Sequence, residues 1–226
     1  MELWRTARRV NSHWDSDMHT IEELFAHNRR WAAEMERLDP AFFTRTEPSQ
    51  QPHFMFLGCS DSRVTSEGMT GAQPGEMFVH RNIGNQVWST DLNMLSVLHY
   101  AVHVLDVPHV IVCGHSNCGA LKAALGPASN GVVDHWLSDI RNTIRWHSTE
   151  LDAISDPQRR LARLAELNVM QQVGILSRTP VILDAWAQRK RPELYGWVYD
   201  IGTGLIQSIV DGVDSVQRAE ELLPHN

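Results

Sequence analysis

Hydrophobic and polar positions along this chain switch between a helical period and short unbroken apolar runs, and each switch marks an element. Ile21, Leu24, Phe25, Trp31, Met35 and Leu38 recur at helical spacing, which predicts a helix over 20–38. Thr20 followed by Glu23 reads as a capping box, and Asp39-Pro40 stops the helix. The apolar run 54–57 before Gly58 predicts a buried strand, and 77–80 predicts a second. Leu92, Leu95, Leu98 and Val102 share one face of a helix over 91–105 that starts at Thr90 or Asp91. After Pro108, the β-branched run 110–112 predicts a third strand, which ends at Gly114. Further helices are predicted over 118–125, 134–147 and 180–188. A long one opens on Asp156-Pro157 as cap and first-turn proline and runs to about Ser177. Residues 196–201 and 204–210 predict a closing pair of strands joined through Gly202.

Strands alternating with helices imply an α/β fold on a largely parallel sheet, in which ligands gather beyond the carboxyl ends of the strands. A chain of 226 residues suits one large domain, here taken as 1–226. Residues 1–19 carry Trp4 and Trp14 among charges and are too short to be a domain, so they read as an arm that packs on a partner. The net charge of −7 argues against non-specific nucleic-acid binding. No apolar run approaches the ~20 residues needed to span a bilayer. The first residues lack the apolar core of a secretory signal, so a cytoplasmic protein with no membrane partner is expected.

Three cysteines do not make a disulfide framework. Cys113 sits inside the apolar run and reads as a small core residue. The other two lie in Cys59-Ser60-Asp61-Ser62-Arg63, just past the first strand, and His115-Ser116-Asn117-Cys118, just past the third. Two thiolates and one imidazole are a donor set that Zn²⁺ prefers, and three protein ligands leave a fourth position open for catalysis. Gly114 and Gly119 bracket the second segment and allow a tight turn, and helix N-terminal amides near Cys118 favour its thiolate. Arg63 is a natural fork for the Asp61 carboxylate. Held by Arg63, Asp61 stays ionised and off the metal; released, it becomes a fourth ligand that closes the site. Convergence of the three donors requires the first and third strands to be neighbours, which spacing alone does not establish.

At these residues the chain resembles the β-class carbonic anhydrases. The likeness spans about residues 20–210. It rests on Cys59-Ser60-Asp61-Ser62-Arg63-Val64, Pro74-Gly75-Glu76, Arg81-Asn82-Ile83-Gly84-Asn85 and Gly114-His115-Ser116-Asn117-Cys118-Gly119. The resemblance implies zinc on Cys59, His115 and Cys118, an Asp61–Arg63 dyad that orients a zinc-bound hydroxide, and reversible hydration of CO₂ to bicarbonate and a proton. It implies a four-stranded parallel sheet with an added antiparallel strand, flanked by helices. It also implies homodimers or homotetramers in which an N-terminal helical arm, here 1–38, reaches across the neighbour. Gln50, Phe78, Tyr100 and Gly119 match substrate-binding positions, with Gln50 donating a hydrogen bond and Phe78 and Tyr100 forming an apolar wall.

One departure concerns regulation. A bicarbonate-inhibited subgroup of the family has Trp, Arg and Tyr around a second, non-catalytic bicarbonate site. Arg81 and Tyr199 match two of these, while Phe56 replaces the tryptophan and lacks its N–H donor. A vestigial site is therefore expected, with Asp61 resting on Arg63. Two alternatives share the motifs: a CS₂ or COS hydrolase on the same scaffold, and a non-catalytic zinc-binding regulatory protein. The presence of both Asp61 and Arg63 disfavours the second. A dithiol redox role is disfavoured because the motif is His-x-x-Cys and not Cys-x-x-Cys.

Overall fold

The computed structural model describes residues 20–129, 131–189 and 191–221, so Trp4 and Trp14 lie outside the described residues. The chain divides at Gln50 into a helical unit and an α/β unit.

In the helical unit, α1 (Ile21–Leu38) begins as its sequence dictates. Thr20 Oγ1 accepts the Glu23 N–H at 3.2 Å, and Glu23 Oε2 accepts the Thr20 N–H at 2.9 Å. Trp31 packs edge-on against Phe42 and Phe43 of α2 (Phe42–Thr46), with ring centroids 6.2 and 5.8 Å away. No residue of α1 is buried, and Ile21, Leu24 and Phe25 are exposed.

The α/β unit is built on a five-stranded sheet of order β2-β1-β3-β4-β5. The strands β1 (Phe54–Cys59), β2 (Met77–Asn82), β3 (His109–His115) and β4 (Glu193–Asp200) are parallel, and β5 (Leu205–Val213) joins β4 antiparallel. That is the sheet the family resemblance implies, and it bears out the largely parallel α/β reading of the pattern. Its helices are α3 (Ser66–Thr70), α4 (Leu92–His99), α5 (Gly119–Leu125), α6 (Val132–Trp136), α7 (Ser138–Trp146), α8 (Ser148–Asp152), α9 (Pro157–Ser177), α10 (Pro180–Arg189) and α11 (Val216–Glu220). Asp91 is the cap of α4, accepting the Asn93 N–H at 3.0 Å. The helix continues to Val104 in a wider turn, closed by Leu105 N–H on the Tyr100 carbonyl at 3.0 Å.

A parallel sheet must be covered on both faces. Met55, Leu57, Val110 and Val112 pack with Val169, Val173 and Leu176 of α9 in the main core. Phe56, Ile111 and Cys113 point the other way and are buried with Tyr195, Trp197 and Tyr199 against them. Cys113 is thus the small core residue expected, and burial pushes its thiol up to about 12. The long helix α9 starts at Asp156, whose carboxylate accepts the Gln158 and Arg159 amides at 2.8 and 3.2 Å. Val169 wedges between two strands because Gly114 and Gly196 have no side chain there. A Cβ would stand 2.8 Å from Val169 Cγ2 at Gly114, and 2.7 Å from Cγ1 at Gly196.

The helix expected over 134–147 is divided between α6 and α7, with a break at Leu137 (φ −81°, ψ 4°). Leu137 is 1% exposed and packs in a cluster with Leu121, Ile140 and Leu151, so core burial overrides helical continuity there. Besides α6, the five-residue helices α2, α3, α8 and α11 are too short for periodicity to reveal. No described helix is long and apolar enough to cross a membrane.

Gly196→Ala is expected to destabilise the protein by about 1–3 kcal/mol, because Val169 and Val210 are stiff at χ1 and cannot retreat. Urea unfolding of the variant beside the wild type measures it; an unchanged midpoint would show that the helix sits less tightly than described.

Candidate metal centre

Cys59 is the last residue of β1, His115 is the last of β3, and Cys118 is the residue before α5. Since β1 and β3 are hydrogen-bonded neighbours in parallel, their carboxyl ends lie side by side and the three donors converge. Cys59 Sγ and Cys118 Sγ are 4.0 Å apart, and all three ligand atoms lie within 4.8 Å of one another. Two sulfurs each ~2.3 Å from a tetrahedral zinc would stand a little under ~4 Å apart, so the spacing fits.

The turn between His115 and Cys118 is made by Asn117, which adopts φ 57°, a left-handed conformation that asparagine tolerates. The bracketing glycines serve otherwise than the sequence suggested. Gly114 makes room for Val169, and a Cβ on Gly119 would meet nothing within 4 Å. The turn is anchored on the end of β4. Ser116 N–H donates to the Tyr199 carbonyl at 2.9 Å, and Ser116 Oγ accepts the Ile201 N–H at 2.9 Å.

His115 is 1% exposed, and its Nδ1 lies 2.9 Å from the Ser116 carbonyl. That bond selects the tautomer with the proton on Nδ1, so the lone pair of Nε2 faces the two sulfurs. Nε2 is buried and has no hydrogen-bond partner among the described residues. An orphaned imidazole nitrogen beside two thiols, with its other nitrogen fixed by a carbonyl, is the arrangement of a metal ligand.

The sulfurs also fit a cation. Cys59 is held well below the ordinary thiol range, first by the Cys118 side chain, against the opposing cost of burial. His115 and the backbone amides of Gly84 and Asp61 add to the lowering. Gly84 N–H reaches Cys59 Sγ at 3.4 Å. Cys118 is pushed up because the Cys59 thiolate is beside it, although the Leu121 and Ala120 amides at the start of α5 act the other way. Two close thiols alone hold one negative charge between them; a divalent metal allows both to ionise.

Beside the donors, Arg63 Nε and Nη2 bind the two oxygens of Asp61 at 2.9 and 2.7 Å, and the Arg63 amide adds a third bond at 3.0 Å. Arg63 therefore holds the Asp61 carboxyl well below the usual carboxylate range. Asp61 Oδ2 lies 3.9 Å from His115 Nε2, on the side of the donor cluster. Arg81 braces the same segment from β2, with Nε on the Cys59 carbonyl at 2.9 Å and Nη2 on the Asp61 carbonyl at 2.6 Å.

The remaining candidates fall in separate places. Phe78 and Tyr100 stack with centroids 5.7 Å apart, and Tyr100 is 44% exposed. Phe56 is fully buried, with Tyr199 in the same apolar cluster, while two donors of Arg81 are engaged by backbone. Gln50 ends the helical unit and is exposed there. Sequence reasoning missed the residues that hold Gly84. Its carbonyl accepts Gln86 Nε2 at 2.7 Å and Asn168 Nδ2 at 3.1 Å, and the Ile83 carbonyl accepts Trp136 Nε1 at 2.7 Å. The sequence signal for them was a group of side-chain amides on a long, largely apolar helix, Asn168, Gln171 and Gln172, all of which are buried.

The family model "Carbonic anhydrase" matches residues 54–206. A carbonic anhydrase of Emericella nidulans is 42% identical over 190 residues, which cover 84% of this chain and 83% of that one. Among solved structures, a tetrameric β-carbonic anhydrase from Sordaria macrospora superimposes with a TM-score of 0.81 at 39% identity, covering 85% of this chain and 98% of that one. The Coccomyxa β-carbonic anhydrase in complex with acetazolamide superimposes with a TM-score of 0.87 at 36% identity, covering 92% and 94%.

Metal analysis of purified variants tests the donor set. Cys113→Ala is expected to retain the wild-type metal content, because Cys113 faces the apolar cluster. Cys118→Ala and His115→Ala are expected to lose most of it. Full metal content in either of the latter would show that the three donors do not act together.

Proposed function

The chain belongs to the β-class carbonic anhydrases, and from that premise we propose that Cys59, His115 and Cys118 hold a zinc ion at a centre served by Asp61 and Arg63. The family's reaction, reversible hydration of carbon dioxide to bicarbonate and a proton, is the reaction of this enzyme. The observation that carries the assignment of the centre is the buried, partnerless His115 Nε2 facing two thiol sulfurs.

Zinc in this position supplies the Lewis acidity that makes hydroxide available near neutral pH. Asp61, ionised and acceptor-only, would accept a hydrogen bond from the O–H of the attacking oxygen and so orient its lone pair toward the carbon of CO₂. Arg63 occupies both carboxylate oxygens, which keeps Asp61 charged and prevents it from ligating the metal. By the resemblance, Phe78 and Tyr100 would offer, across a dimer, an apolar wall suited to a substrate with no net dipole, and Gly119, where a Cβ would meet no described atom within 4 Å, would leave space for it. The Phe56 side chain has no N–H to donate, and two of the Arg81 donors are taken by backbone carbonyls. The second bicarbonate site is therefore vestigial in this reading.

The chain is read as one enzyme domain, 1–226, that assembles as a homodimer or homotetramer. The tetrameric relative and the exposed apolar face of α1 support an arm, 1–38, that packs on a second copy. Two metal-binding thiols that must stay reduced suit the cytoplasm.

Asp61→Asn is expected to retain zinc and to lower kcat/KM for CO₂ hydration by ~10²-fold or more, since an amide offers an N–H where the hydroxide needs an acceptor. Stopped-flow hydration on zinc-quantified protein measures it, and full activity would overturn the role given to Asp61. Added bicarbonate is expected to inhibit the wild type only as a competing product. Cooperative inhibition that disappears in Arg81→Ala would show that the second site works.

A further inference from the structure

The Gly84 N–H that meets the Cys59 sulfur belongs to the same amide group as the Ile83 carbonyl. A peptide group is planar, with its C=O and N–H on opposite sides, so whatever grips one end orients the other. The Ile83 carbonyl accepts the Trp136 indole N–H at 2.7 Å, and the Gly84 N–H stands 3.4 Å from Cys59 Sγ. Three groups from separate parts of the chain thus form one line: indole, peptide, sulfur.

We infer that Trp136 is a positioning residue for the metal centre, acting through the Ile83–Gly84 peptide to aim and strengthen the N–H that Cys59 receives. The inference rests on the zinc reading of Cys59, His115 and Cys118 and adds to it a residue outside the four motifs. A donor on a peptide carbonyl polarises the whole amide, so its N–H becomes a better donor in turn. Hydrogen bonds to a metal thiolate withdraw charge from sulfur and set the ligand's direction.

The rest of the loop has the rigidity such a relay needs. Gly84 adopts φ 78° and Asn85 φ 49°. A Cβ at Gly84 would meet Ala120 Cβ and Ile140 Cδ1, each at 3.1 Å, so the strand end cannot drift toward α5 or α7. On the far side, the Gly84 carbonyl is held by Gln86 and by Asn168 of α9. Gln172 Oε1 accepts the Val87 N–H at 2.7 Å, and Gln172 Nε2 is anchored on Asp139 at 3.0 Å. With the following peptide fixed, Trp136 controls the preceding one. Trp88 is the natural comparison. Its ring lies 5.9 Å from that of Trp136, yet its Nε1 has no hydrogen-bond partner among the described residues.

The test uses cobalt(II)-substituted full-length protein and reads the sulfur-to-cobalt charge-transfer band. Trp136→Phe keeps an aromatic ring and removes the N–H. Loss of charge withdrawal from Cys59 is expected to move the band to longer wavelength and to speed cobalt removal by a chelator ~3- to ~10-fold. Trp88→Phe is expected to leave the band where it is. An unmoved band in folded, cobalt-loaded Trp136→Phe overturns the inference and leaves the metal centre intact. Equal shifts in both variants also overturn it, since the cause is then ring packing and not the donor. Should Trp136→Phe fail to fold, wild-type protein loaded with ¹¹³Cd decides. A through-hydrogen-bond coupling between the metal and the Gly84 amide proton is expected, and its absence overturns the relay. A wild-type protein that takes up cobalt without any thiolate band defeats the zinc reading itself, and this inference with it.

Discussion

The parallel pairing of β1 with β3 is the constraint on which the rest depends. It places Phe54 beside His109 and Gly58 beside Cys113, so that Cys59, one residue further on, and His115, two residues further on, end their strands at the same edge of the sheet. A slip of one residue would turn Cys59 to the opposite face and move it ~3.3 Å along the strand. The apolar faces forbid such a slip. Met55 and Leu57 belong to the core under α9, and Phe56 belongs to the cluster with Ile111 and Cys113. The hydrophobic register of the sheet therefore sets the coordinates of the metal donors, and stability and chemistry are fixed by the same contacts.

Within that frame two arginines divide the electrostatic work on one short segment. Arg63 binds the side chain of Asp61, and Arg81 binds the main-chain carbonyls of Cys59 and Asp61. One keeps the carboxylate charged; the other keeps its backbone from moving. Preorganisation of this kind spares the site from rearranging as charge develops, which is where much of an enzyme's advantage over water lies. It also explains how a chain of net charge −7 keeps an anionic cluster of two thiols and a carboxylate in one place.

Much of this was legible in the residues. The capping box at Thr20, the Asp156-Pro157 start and the β-branched run of β3 are local signals, and local chemistry decided them. The donor set was legible because few residue types bind a soft divalent metal, and a thiol pair with an imidazole offers little other use. What stayed hidden depends on tertiary contact. Nothing near Leu137 announces a helix break, since the cause is a pocket lined by Leu121, Ile140 and Leu151. Gly114 looked like a turn residue, but its lack of a side chain serves Val169, far along the chain. Trp136 drew no reading of its own inside the helix expected over 134–147, and its meaning lies in the Ile83 carbonyl that its indole N–H meets.

The anchoring of Ser116 on Tyr199 and Ile201 has a consequence for how the protein is made. All three metal donors have been synthesised once the ribosome reaches Cys118. The residues that aim His115 come only with Ile201, 83 residues later. At ~5–20 residues per second that gap is about 4–17 s. Throughout it the nascent chain carries two thiols and an imidazole with no preset geometry, open to oxidants and to whichever soft metal arrives first. Correct metallation is thus a matter of timing as well as affinity: the cell must protect these donors until the fourth strand is in place.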